Sequence, residues 1–132
     1  MRHQAELQAK ACCEVTVAWR GRVRLVLRGV AQGFVRVLDS ARRSDSDAAA
    51  VWRDRSEDRL QGCRRLDEWL KRDGVLADGW TVGSAADLIW AIASVQMNDE
   101  LVNERGWRPS RFTRHIQETS AERLWRLEKC CS

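Results

Sequence analysis

The scarcity of chain-breaking residues is the feature that most limits the folds open to this sequence. One proline and eight glycines occur among 132 residues. A sandwich or barrel of short strands needs many turns, and these two residue types punctuate most turns. The chain also lacks a strong strand pattern. We therefore predict an all-α protein of one domain, long enough to bury a hydrophobic core.

Composition excludes several broad classes of protein. Apolar residues make up 44% of the chain and charged residues 32%, a globular mix unlike a collagen-like repeat or a disordered tail. The longest apolar-rich run, residues 85–95, contains Asp87 and is too short to span a bilayer, and the N-terminus lacks the apolar core of a signal peptide. Five cysteines, an odd number with two adjacent pairs, suit a reducing compartment. We expect a cytoplasmic protein with no membrane partner.

Hydrophobic periodicity predicts where the helices lie. A short N-terminal helix is predicted over residues 5–18, followed by a longer amphipathic helix over residues 20–40. Three further helices are predicted over residues 48–73, 81–104 and 109–129. The predicted architecture is therefore a bundle of four long helices plus a short N-terminal one.

Residues with special backbone preferences mark the ends of these helices. A Ser or Asp within the polar segment 41–47 should open the third helix, and Thr81 should cap the fourth. Gly74 and Gly106 can adopt the left-handed conformation that ends a helix. Pro109 is tolerated in the first turn of the last helix.

The densest basic stretch, residues 19–28, contains four arginines and no acid. One interpretation is a strip that contacts phosphate groups of a nucleic acid. The other is the solvated face of an amphipathic helix, which we favour because the interleaved Val and Leu need a core. The formal net charge of +4 does not by itself identify a partner.

Catalytic motifs are lacking. The two histidines, His3 and His115, are not paired with a convincing nucleophile, and no P-loop, dinucleotide or H-E-x-x-H motif occurs. A metal site built from the histidines and the paired cysteines is the weaker alternative, since no C-x-x-C spacing occurs. We therefore predict a protein that is not an enzyme and that uses no cofactor or metal.

Seven tryptophans occur in the chain, and we expect most of them to pack in the core or between helices. The functional alternative is an aromatic-walled pocket between helices, a common place for small ligands. The candidate ligand-binding residues, chosen as inward-facing or polar contacts, are Phe34, Trp52, Cys63, Trp90, Gln96 and Met97.

Two segments carry a resemblance to a known family. The sequence A-A-D-L-I-W over residues 85–90, followed by R-G-W-R-P over residues 105–109, resembles the C-terminal domain of the TetR/AcrR family of transcriptional repressors. Gly74-Val75-Leu76 and Thr81-Val82 fall where that family has a G-x-L … T-V connector. The likeness covers about residues 20–127.

The resemblance implies a division of the chain and a set of partners. An N-terminal helical extension would span residues 1–19, and a ligand-binding and dimerisation domain would span residues 20–132. Such domains enclose a pocket for a small apolar or aromatic ligand and form a homodimer through their last two long helices, which here correspond to residues 84–104 and 109–129. The candidate interface residues are Leu101, Val102, Phe112, Ile116, Leu124 and Leu127.

The resemblance also implies a function, with two departures. The helix-turn-helix unit with which such repressors begin has no counterpart in residues 1–19, so DNA would be contacted only through an absent or separate unit. Arg108, Gly83-Ser84 and Ser120 depart from the family pattern and should weaken the ends of the last two helices. The implied function is a ligand-sensing and dimerisation domain of a TetR-type regulator. The alternatives are a nucleic-acid-binding helical protein and an interaction module that pairs with full-length repressors.

Overall fold

The computed structural model describes the backbone of residues 2–29 and 33–126 and, apart from residues 3–13, 15 and 33, their side chains. The described residues are mostly helical, with one isolated bridge and no strand among them, which confirms the all-α class. The elements in chain order are α1 (Arg2–Arg28), α2 (Gly33–Ala41), α3 (Ser46–Arg72), α4 (Val82–Ile92), α5 (Val95–Asn98), a π-helical turn (Asp99–Glu104) and α6 (Pro109–Leu124).

The predicted count of four long helices is wrong. Helices α1 and α3 have 27 residues each, and α6 has 16. Helix α1 runs through residues 19 and 20 without a break, so the predicted short helix is part of a long one. The helix predicted over residues 20–40 is divided instead, with α1 ending at Arg28 and α2 beginning at Gly33. Gly29 and Gly33 flank this division, and glycine is a poor helix former.

The helix predicted over residues 81–104 is also divided. Helix α4 ends at Ile92, and the Ser94 side chain accepts a hydrogen bond from the Met97 N–H to cap α5. Beyond Asn98 the chain continues as the π-helical turn, with the Arg105 N–H donating to the Glu100 carbonyl at 2.9 Å. Serine favours helix caps over helix interiors because its hydroxyl competes for backbone groups, which explains a new start at this position.

Most of the predicted end signals are confirmed. Asp45 caps α3, and Gly74 and Gly106 have φ values of 71° and 75°. Thr81 caps α4, and Ser84 returns a hydrogen bond to the Thr81 backbone to complete a capping box. The expectation that Gly83-Ser84 weakens this end is therefore wrong at Ser84.

The core lies where α3 packs against α1 and α4, and α6 packs against the same two helices. Trp19 of α1 is buried and donates from Nε1 to the Gln117 carbonyl of α6 at 3.3 Å. Gln117 in turn donates from Nε2 to the Arg20 carbonyl at 2.9 Å, so two hydrogen bonds join α1 to α6. The Trp125 ring packs edge-on against Trp19, with the ring centroids 5.5 Å apart.

The last helix is shorter than predicted. Helix α6 ends at Leu124, where the chain turns into an isolated antiparallel bridge between Leu76 and Trp125. The Ala77 N–H donates to the Leu124 carbonyl at 2.7 Å, and the Arg126 N–H donates to the Val75 carbonyl at 2.8 Å. These backbone hydrogen bonds replace the helical ones and tie the end of α6 to the segment after α3.

Within residues 2–29 and 33–126, none of the helices combines the length and the apolar character that a bilayer span requires. The same part of the chain holds no group of three or more metal-ligating side chains. The side chains of His3 and of the paired cysteines lie outside those that the structure describes.

Candidate functional site

A groove of about 650 Å³ lies between α1, α2 and α3 and is the main candidate site. This volume is within the range of about 300–1,000 Å³ typical of small-molecule pockets. We call it the arginine groove, after Arg22, Arg55, Arg59 and Arg65 in its lining. Its apolar lining consists of Leu25, Val26, Val35, Trp52, Leu66 and Val95.

The arginine groove is strongly basic. Four arginines and one carboxylate, Asp58, line it, which gives the lining a net charge of +3. Within the described residues, the ion pairs are those of Arg36, Arg42 and Arg126 with aspartates, none of which lines this groove. Arg22, Arg55 and Arg65 therefore carry charges that no ion pair in this part of the chain neutralises.

Aromatic rings hold two of these arginines in place. The guanidinium carbon of Arg22 lies 4.8 Å from the centre of the Trp69 ring, and that of Arg55 lies 4.1 Å from the centre of the Phe34 ring. A cation–π contact of this kind positions a guanidinium over a ring face without cancelling its charge. The groove thus keeps its positive charge although two of its arginines contact aromatic rings.

Arg59 connects the groove to the end of α4. Its Nη1 donates to the carbonyls of Trp90 and Ala93 at 2.5 and 2.8 Å, and its guanidinium carbon lies 4.8 Å from the centre of the Trp90 ring. The last carbonyls of a helix lack partners within the helix, so Arg59 satisfies groups that α4 leaves open. Burial lowers the pKa of the Arg59 guanidinium, which nevertheless stays charged at neutral pH. One side chain therefore both lines the groove and caps a helix.

Two ionisable side chains of α3 lie in the core beside this region. Burial is the main cause that raises the pKa of the Cys63 thiol to about 12, and the charge of Asp67 adds to it while that of Arg59 opposes it. Burial also raises the pKa of Asp67 to about 7, and neither of its carboxyl oxygens has a hydrogen-bond partner among the described residues. A neutral, fully buried thiol is a poor nucleophile.

The structure does not bring the six predicted ligand-binding residues into one pocket. Trp52 alone of them lines the arginine groove. Phe34 is exposed beneath Arg55, and Trp90 is exposed beneath Arg59. These two rings support groove arginines instead of forming its wall.

The other three predicted ligand-binding residues lie elsewhere. Cys63 is fully buried in the core, and Met97 is partly buried against it. Gln96 is exposed and lines a second groove. Helical spacing predicts that a residue faces inward. It does not predict whether that residue lies in the core or in one of the grooves.

The predicted interface residues are largely covered within one chain. Phe112, Ile116 and Leu124 are at most 2% exposed, and Leu101 and Val102 pack against the same core. Their apolar character is therefore explained by the fold of a single chain. Leu127 lies outside the described residues, and the interface stays a prediction.

The second groove has about the same volume, 620 Å³, and opposite charge. Asp39, Asp99, Glu100 and Glu104 line it together with Arg36 and Arg43, and we call it the acidic groove. Arg36 donates from Nε to the Asp99 carboxylate at 2.8 Å, so part of its charge is paired internally.

The groove arginines are candidate site residues that the sequence analysis does not single out. Arg55 and Arg59 are four residues apart, which places them on one side of α3, but a charged helix face of this kind is typical of solvated surface. Taken together, the arginine groove has the parts of a binding site for a small molecule. In comparisons with known proteins, no family model, no curated protein and no solved structure matches this chain.

Proposed function

We propose that this chain is a ligand-sensing domain, of the kind that the TetR resemblance implies, and that its ligand binds in the arginine groove. The observation that carries the proposal is the groove itself. It lies between three helices, has a volume suited to a small molecule, and has an apolar floor. The proposed ligand is a small molecule with an apolar or aromatic part that packs against Val26, Val35 and Trp52.

Arg59 supplies a route from the ligand to the rest of the fold. It lines the groove and also holds the carbonyls at the end of α4. A ligand that draws Arg59 into the groove favours an arrangement in which the end of α4 is released. Helix α4 and the elements after it lie in the segment that the resemblance assigns to a dimer interface, so the change would reach a partner.

The proposal includes the partners that accompany such domains. The chain would form a homodimer and would act on DNA only through an absent or separate helix-turn-helix unit, in the cytoplasm. Light scattering at micromolar concentration tests the dimer directly. A monomer under these conditions would contradict this half of the proposal and leave the ligand half standing.

Gly62 allows a sharp test of ligand binding. It lines the groove, and a Cβ placed on it lies 3.9 Å from both Val26 and Arg65, an ordinary contact that a larger side chain extends into the groove. We expect Gly62→Leu to remove the binding of octanol and octanoate, measured by tryptophan fluorescence and calorimetry. Gly21→Leu is the matched control, because Gly21 is an exposed helical glycine with open space around it and lies outside the groove.

Two outcomes would contradict the ligand half of the proposal. One is that neither probe binds the unmodified chain at millimolar concentration. The other is that Gly62→Leu and Gly21→Leu bind the probes equally well, which would place binding elsewhere. Circular dichroism of both variants establishes that they are folded.

A specific observation also favours a second function, nucleic-acid binding. Arg20, Arg24 and Arg28 are exposed at intervals of four residues along α1, and none of them forms an ion pair within the described part of the chain. Such a stripe can follow a row of phosphates. This function predicts duplex binding that falls steeply with salt and is lost when all three arginines are changed to glutamine. A gel shift without a complex at low salt would remove it.

A further inference from the structure

We propose that the arginine groove is selective for an amphipathic anion, a small molecule with one carboxylate and an apolar body. The inference rests on the proposed function and adds the chemical class of the ligand. Its basis is the combination, in one groove, of unpaired arginines and an apolar floor.

The positive charge of the groove is available to a ligand. Arg22, Arg55 and Arg65 have neither an ion pair nor a hydrogen bond among the described residues, and Asp58 is the one carboxylate in the lining. Like charges held close together in a partly enclosed site repel one another and attract counter-ions. A bound anion relieves this repulsion, whereas a neutral ligand leaves it in place.

The geometry of the arginines suits a carboxylate. The Arg22 and Arg55 guanidinium groups lie over the Trp69 and Phe34 rings, and neither group donates a hydrogen bond to a described residue, so their N–H donors are available. A guanidinium presents several N–H donors in one plane, and a carboxylate accepts two of them side by side. Arg65 adds a third unpaired guanidinium beside Gly62.

An inorganic anion would not cover the apolar floor of the groove. Val26, Val35 and Trp52 present surface that a small hydrated ion would leave in contact with water. An apolar body attached to the carboxylate covers that surface. A nucleic acid, by contrast, would use the exposed side of α1 and leave the floor uncovered.

The acidic groove provides an internal comparison for this assignment. It has a similar volume and also contains two arginines, but four carboxylates line it and Arg36 is paired with Asp99. The same anion placed there meets a lining of net charge −2. Selectivity for an anion therefore belongs to one groove and not to both.

Three probes of matched structure test the proposal on the unmodified chain by calorimetry. Octanoate has the body and the charge, octanamide has the same body without the charge, and acetate has the charge without the body. We expect octanoate to bind at least about tenfold more tightly than octanamide, which corresponds to one charge-assisted contact. We expect no measurable binding of acetate over the same concentration range.

Substitutions locate the site. Arg55→Gln and Arg65→Gln should each weaken octanoate binding by about five- to tenfold and leave octanamide binding unchanged. Arg53→Gln and Arg64→Gln are the matched controls, because both arginines are exposed on α3 next to these positions and lie outside the groove lining. The controls should bind octanoate like the unmodified chain.

The outcomes separate this inference from the proposed function. If octanoate and octanamide bind equally and Gly62→Leu removes both, the groove is a ligand site but its selectivity for anions is wrong. If all four arginine variants weaken octanoate binding equally, the effect is one of net charge and the inference is overturned. If none of the probes binds, the ligand half of the proposed function fails as well. Should the variants be unfolded, the three-probe comparison on the unmodified chain still decides.

Discussion

The two grooves of this protein have almost the same volume and share Val95, yet their charges are opposite. In the arginine groove, Arg22 and Arg55 contact aromatic rings and keep their charge free. In the acidic groove, Arg36 contacts a carboxylate and its charge is largely cancelled. The two grooves therefore differ in the pairing of their charges and not in their size.

The neighbours of each arginine arise from different parts of the fold. Helices α1 and α3 bring arginines and aromatic rings together across their contact, whereas α2 and the π-helical turn bring bases opposite acids. A carboxylate opposite an arginine forms an ion pair that a ligand must break. A ring opposite an arginine leaves the hydrogen-bonding edge open.

The largest expected effect concerns the buried carboxyl group of Asp67, on α3, which lines neither groove. Burial raises its pKa from 3.8 to about 7, so the folded state favours the protonated carboxyl. Its contribution to stability is therefore full below pH 4 and is lost as the pH rises towards 7. Replacing Asp67 with Asn should remove this loss and raise the free energy of unfolding at pH 8 by up to about 4 kcal/mol.

Urea denaturation at pH 5 and pH 8 measures this effect. The gain from Asp67→Asn should be larger at pH 8 than at pH 5, because more of the penalty for burying the carboxylate is present there. Asp54→Asn is the control, since Asp54 is exposed on the same helix. An equal pH dependence in Asp67→Asn and the unmodified chain would show that Asp67 is not held neutral by burial.

The next effect is expected when the charge of the arginine groove is reversed and that of the acidic groove is not. Arg55→Glu combined with Arg65→Glu changes the lining of the arginine groove from net positive to net negative. Octanoate affinity should fall by about a hundredfold, equivalent to about 3 kcal/mol. Glu100→Gln combined with Glu104→Gln in the acidic groove should leave octanoate affinity within about twofold. A similar loss in both double variants would contradict the assignment of the ligand to the arginine groove.

Arg59 tests whether the arginine groove is coupled to α4. Arg59→Gln removes the bond to at least one of the carbonyls of Trp90 and Ala93, and the chain should lose about 2 kcal/mol of stability. Amide exchange should accelerate most at the end of α4. Arg43→Gln in the acidic groove is the comparison, because Arg43 is exposed and should have almost no effect on either measurement. Uniform acceleration across the chain would argue against a local link.

The smallest expected effect on stability concerns the Arg36–Asp99 ion pair of the acidic groove. The Arg36 and Asp99 side chains are 54% and 33% exposed, so their ion pair is well solvated. Arg36→Gln should change the free energy of unfolding by less than about 0.5 kcal/mol, and added salt should reduce even this difference. Thermal melts at low and high salt measure it. A loss above about 1 kcal/mol would mean that the pair supports the fold more than its exposure indicates.

Local signals predicted much of the fold. Asp45, Thr81 and Pro109 mark the starts of α3, α4 and α6, and Gly74 and Gly106 adopt the left-handed backbone expected of them. Each of these helix ends depends on a few neighbouring residues, which can be identified from the sequence alone. The divisions at residues 29–33 and 93–94 were missed because an apolar stripe continues across each of them.

The candidate site was much less predictable than the fold. Of the predicted ligand-binding residues, Trp52 lines the arginine groove, whereas Cys63 faces the core and Phe34 faces the solvent. A helical pattern separates buried from exposed positions and does not say which helix covers a buried one. Arg55 and Arg59 became candidate site residues only through the groups that lie opposite them, which no local pattern contains.

The sequence by itself determined the all-α class, the amphipathic faces and most of the helix ends, because these follow from backbone preferences and periodicity within a few turns. Only the tertiary structure decided that α1 is continuous through residues 19 and 20 and that α1, α2 and α3 enclose a groove. It also decided which charges are paired. Ion pairs and cation–π contacts depend on distances between residues far apart in the chain, and packing of the helices sets those distances.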